Sequence, residues 1–242
     1  MAYQPPAYVR VVDSRDPHLA FEWDDWSDEE EALEKDFYAR LKGISHRACA
    51  AFGIATAEWI LYRFSALEPT PVLGDFIESA WAQEIALQYG HAWHEIADDD
   101  AWVGPVRGPI HNVLMWISDA IADAIEGANP MLFTSWAASL AQIVLPDPAP
   151  YLAWREKVMA RLEALYPREP LDSLGDVVPR EALDPLFEFR SEDTEPLVNH
   201  FLSRLDPGGN VYLAPPETML EEGFEGTPYV FSLDADRAAR SF

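Results

Sequence analysis

Cysteine is almost missing from this chain: Cys49 is the only one in 242 residues. A single thiol excludes an internal disulfide and fits a reducing compartment. Lysine is nearly as scarce. Only Lys35, Lys42 and Lys157 stand beside fourteen arginines, a usage associated with GC-rich bacterial genomes. The opening stretch MAYQPPAYVR lacks a basic region followed by an apolar run, so it does not read as a secretory signal. Glu58 and Arg63 break the longest apolar stretch before it reaches the ~20 residues that a membrane span needs. The default expectation is therefore a cytoplasmic protein.

Catalytic signatures are also missing. There is no GxSxG, and Gly208–Gly209 sits in PGGN, a turn signal and not a phosphate-binding loop. Positive charge is in short supply: 42 acids against 17 bases leave a formal charge of −25. Such a field repels DNA, RNA and anionic membrane faces and attracts basic proteins or cations. The plainer alternative is an acidic surface that keeps the protein soluble.

What the chain does have is core material. Hydrophobic residues make up 49%, with nine Trp, nine Tyr and twelve Phe, which excludes global disorder. The stretch Ser45–Leu67 is apolar on nearly every side, with Ala48, Phe52, Ala55, Trp59, Tyr62 and Ala66 at helical spacing. A helix of that kind is buried among its neighbours. Its two charges, Glu58 and Arg63, require partners from other elements, and Arg107 is the expected partner of Glu58.

Around this helix the periodicity predicts five more. One spans about Asp28–Lys42, with Ser27 and Glu30 as a capping box and Gly43 as its stop. Others span about Asp75–Ala97, Pro109–Glu126, Pro130 to just before Pro146, and Pro150–Tyr166. Gly104–Pro109 reads as a loop, and Tyr8–Val12 as one extended segment. The fold class is all-α, a bundle or short α–α stack of about six helices over residues 1–167. Residues 168–242 read as an acidic, mostly irregular extension packed on it. Between Glu169 and Asp236 there are 16 acids and three Arg. Within it, Phe187–Arg190, Val211–Leu213 and Tyr229–Leu233 are candidate extended pieces and Pro196–Leu205 a candidate helix.

Three constellations are candidates for function. Glu84, His91 and Glu95 fall on one face of the predicted third helix, with His94 beside them and His111 on the next. A helix-borne metal site is sterically allowed there, but HAWHE is neither HExxH nor the ExxH of di-iron bundles, and paired side chains on a solvated face explain it more simply. No metal or cofactor is therefore assigned. Cys49 lies three residues from His46, yet a thiol in an apolar helix is best read as core filling. The third constellation is FEWDDWSDEEE. From Glu22 to Asp36 nine acids face a single lysine, and Trp23 and Trp26 are interspersed among them. Aromatics beside charge make interface anchors, so Trp23, Asp24, Asp25, Trp26, Asp28, Glu29 and Glu30 form the candidate partner-binding surface.

In general type, as an acidic, all-α chain with no enzyme motif and an aromatic-studded acidic run, the protein resembles bacterial toxin-immunity proteins. The resemblance implies a non-enzymatic protein that binds a cognate basic toxin or secreted effector directly. It carries no residue roles with it. A metal-dependent enzyme using Glu84, His91, His94 and Glu95, and an adaptor or chaperone for a basic secreted protein, are the competing expectations.

Overall fold

A computed structural model of the chain describes residues 5–23, 34–97 and 99–240, with the backbone alone at Asp99. Among these residues there are ten α-helices, five 3-10 turns and three isolated β-bridges, so the fold is all-α. The helices are α1 Lys35–Leu41, α2 His46–Phe64, α3 Val72–Gln83, α4 Trp93–Ile96, α5 Gly104–Glu126, α6 Pro130–Val144, α7 Ala149–Leu165, α8 Thr194–Leu202, α9 Pro216–Glu221 and α10 Leu233–Ala239.

α2 is the axis of the bundle. All nineteen of its residues are buried, and it packs most extensively on α5 and α6, which also pack on each other. Its small residues let the neighbours come close. Gly53 faces Thr134 of α6 and Ile117 of α5, and the Thr134 hydroxyl donates to the Cys49 carbonyl at 3.2 Å. A buried helix N-terminus must still satisfy its first amides. Here the Ser45 hydroxyl accepts from Ala48 N–H (3.2 Å). The three preceding amides, of Ser45, His46 and Arg47, donate to the carbonyls of Tyr166 (2.9 Å), Ser173 (2.8 Å) and Leu174 (3.1 Å). The segment after α7 therefore completes the central helix.

Aromatic rings fill the space between α2 and α7. Trp154 stacks on Tyr8 (5.5 Å, 15°) and on Phe52 (5.3 Å, 25°), and lies 5.9 Å from Trp59. The stack explains why Tyr8–Val12 is not extended. Ala7–Val9 form a 3-10 turn that buries Tyr8 and Val9.

Several boundaries differ from the sequence expectation. The helix predicted over Asp75–Ala97 breaks into α3, a 3-10 turn Leu87–Tyr89, and α4. Long-range pairing overrides the period: Gly90 forms a β-bridge with Leu213, and His91 N–H donates to Tyr212 O at 2.9 Å. A side chain at Gly90 would collide with Ser79 and with the Tyr212 carbonyl, so that approach requires glycine. α5 starts at Gly104 instead of Pro109. Pro105 occupies the favoured first turn, Pro109 lies within the helix, and the expected loop does not form. Of the helix expected over Asp28–Lys42, Lys35–Leu41 is present; residues 24–33 lie outside the described residues. The extended pieces expected at Phe187–Arg190, Val211–Leu213 and Tyr229–Leu233 form no strand among the described residues, although Leu213 makes the bridge to Gly90.

Candidate functional site

The acidic run begins where the described residues pause. Asp24, Asp25, Trp26, Asp28, Glu29 and Glu30 lie outside them. Trp23 is described and half-buried, with its indole lying over Gly108 of α5, so close that an added Cβ there would strike the ring. Phe21 presents edge-to-face geometry to Phe64 at 6.3 Å. Both aromatics thus pack against the core at the foot of the acidic run.

The helix face that would hold a metal is dismantled by the break after α3. His91 Nδ1 and Glu95 remain 3.3 Å apart at a partly exposed i,i+4 pair. His111 Nδ1 accepts from the Trp93 indole at 3.0 Å, and Glu84 turns into the interior. Among the described residues no group of three or more His, Cys, Asp or Glu is placed to hold a metal.

Cys49 is fully buried, and burial pushes its thiol up to about 12. A thiol held protonated at neutral pH is a poor nucleophile. Burial, reinforced by the charge of Arg168, also lowers the neighbouring His46 imidazole below its ordinary value, against opposing pulls from the Ala124 backbone and Asp123.

The densest polar chemistry is internal and centres on α2. Glu58, wholly buried, accepts from the Tyr8 hydroxyl and from the Trp81 indole (3.2 Å), and it pairs with Arg180. Arg107, the expected partner, instead reaches Glu68 at 2.7 Å. Arg63 donates to the carbonyls of Val144 (3.1 Å), Asp16 and His18 (2.8 Å), fastening the N-terminal arm to α2. Arg47 donates to Ile85 O (2.8 Å) and Gly175 O (3.2 Å) and pairs with Asp236 at 2.9 Å. Glu84 accepts Val178 N–H at 3.2 Å. Desolvation raises its carboxyl to about 8, against opposing pulls from Arg47 and the Val178 amide. The need of Glu58 and Arg63 for partners is visible in the sequence. Glu84 reads there as part of a solvated helix face, and nothing in the sequence marks Arg47 as buried.

Toward solvent the charges are organised differently. Arg40 holds Glu156 and Glu163, Arg155 holds Glu34, and Arg240 ties Asp172, Asp176 and Asp236 together. Arg161 is spent on the carbonyls of Ala182, Asp184 and Phe187. These cationic groups hold elements together. Carboxylates such as Glu217, Glu221, Glu222 and Glu225 stand exposed around α9. No helix of the described residues is long and apolar enough to cross a membrane.

No protein-family model, no curated protein and no solved structure matches the chain.

Proposed function

We propose that this chain is a non-enzymatic binding protein of the bacterial cytoplasm, an immunity protein that neutralises a cognate basic toxin by direct contact. One observation carries the reading: several arginines, among them Arg47, Arg63, Arg155 and Arg161, are drawn into ion pairs and carbonyl contacts that hold elements together, in a chain whose net charge is −25. Such a charge accelerates association with a cationic partner, with the rate falling as salt screens the field. Trp23 packs on α5, and the acidic residues that follow it in sequence, Asp24, Asp25, Asp28, Glu29 and Glu30, with Trp26, are the ones assigned to the partner in this reading.

The test is co-expression with the product of the neighbouring gene. Growth arrest caused by that product alone and relieved by this chain, with a 1:1 complex on sizing, supports the reading. Unrelieved arrest, or a neighbour that is neither toxic nor bound, overturns it.

A further inference from the structure

A cavity of about 90 Å³ opens between the end of α3, the segment Val177–Glu181 and α8. Its walls are apolar: Trp81, Ile85, Val177, Val178, Val198 and Phe201. Its polar lining is unusual for this protein. Arg180 contributes a side chain that is 31% exposed even while paired with Glu58. His200 and Arg204, both exposed, stand at the mouth. A chain with 42 acids and 17 bases here converges two arginines and a histidine on one opening.

We propose that this cavity is a binding site for a short-chain aliphatic monocarboxylate. The cavity is small, which favours a short ligand over a long one. The apolar walls suit a short alkyl body, and a planar guanidinium matches a carboxylate bidentately. The two acids of the lining do not defeat this. Glu84 is buried, and desolvation pushes its carboxyl up to about 8, which weakens the repelling charge it would present at neutral pH. One of its oxygens accepts Val178 N–H. Glu181 is partly exposed on the rim, where water screens it. The inference is independent of the immunity reading, because it concerns a pocket on the C-terminal side and needs no protein partner.

The experiment uses the full chain and sodium propionate, with propionamide and propylammonium as probes and ionic strength matched by sodium chloride. Thermal melts and calorimetric titration are followed in the wild type, in Arg204→Gln and in Leu197→Trp. Both changes fall at exposed or half-exposed mouth positions and leave the core intact. The expected result is a saturable, 1:1 rise in Tm with propionate alone. Kd should weaken roughly tenfold or more in Arg204→Gln, the loss of a charge-assisted hydrogen bond. Leu197→Trp, which fills the entrance, should abolish binding with its unliganded Tm unchanged. No saturable binding, equal effects from propionamide, or undiminished binding in Leu197→Trp would each overturn the proposal. Should either variant melt early without ligand, backbone-amide chemical shifts in the wild type decide. Shifts centred on Val177 and Val178 sustain the site, and shifts elsewhere refute it.

Discussion

Glu58 within α2 and Glu84 directly after α3 are both buried carboxylates, and the protein surrounds them in opposite ways. Around Glu58 the structure supplies a guanidinium, a phenol and an indole drawn from the N-terminal arm, α3 and the turn at Arg180. Around Glu84 it supplies one backbone amide, and Arg47, whose charge acts on it, is turned toward two carbonyls and Asp236. Glu84 forms no salt bridge among the described residues, and desolvation therefore governs it. Two buried acids thus meet very different sets of donors.

The comparison is broken most severely by removing the cation from one side. Arg180→Ala leaves Glu58 buried without its guanidinium and should cost about 3–5 kcal/mol, measured by urea unfolding. The double change Glu58→Gln/Arg180→Met should recover much of that loss, because an uncompensated charge costs more than an absent pair.

The Glu84 side is probed by pH. In the folded chain its carboxyl holds a proton up to about 8, whereas in the unfolded chain it releases the proton in the ordinary carboxylate range. The folded state therefore binds more protons between those values, and stability falls as pH rises. Between pH 5 and pH 8 this contribution should amount to about 3 kcal/mol. His46, whose imidazole is lowered, acts in the opposite sense in the acidic part of that window. The difference between wild type and Glu84→Gln isolates the Glu84 part. If both lose stability equally with pH, the assignment to Glu84 fails.

A smaller effect separates packing from charge. Gly108→Ala pushes a methyl group into the Trp23 indole and should cost about 1–2 kcal/mol, read as a lowered urea midpoint with an unchanged slope. The smallest stability effect is expected from the acidic run. Reversing Asp24, Asp25, Glu29 and Glu30 to Lys should leave the unfolding free energy within about 0.5 kcal/mol of wild type and slow association with the basic partner several-fold at low salt. Unchanged association would make the acidic run a solvated face only.

The all-α class and the central helix were legible because they rest on local signals. Nothing but burial explains an uncharged run from Ala48 to Ala57, and Ser45 caps α2 as its residue type suggests. The positions of α6 and α7 followed from Pro130 and from the stripe of Tyr151, Trp154, Val158 and Leu162, all four of which are buried. What stayed hidden depends on residues distant in sequence. The period of Trp81, Ile85 and Tyr89 continues smoothly through a break that exists because Tyr212 and Leu213 dock against Gly90 and His91. Glu58 announced its need for a cation, but the sequence reading pointed to Arg107, and only the path of the chain after α7 brings Arg180 to it instead. Trp23 was legible as an aromatic beside acid, whereas its seat on Gly108 required α5 to begin before Pro109.

The way α2 is closed at its N-terminus bears on how the protein is made. Its first amides wait for carbonyls at Tyr166, Ser173 and Leu174, and its buried Arg47 waits for Asp236. A ribosome delivers this most water-averse helix early and the groups that seal it late. During most of translation α2 therefore has no finished surroundings, and shielding it until residue 236 emerges falls to chaperones or to a loosely collapsed nascent chain.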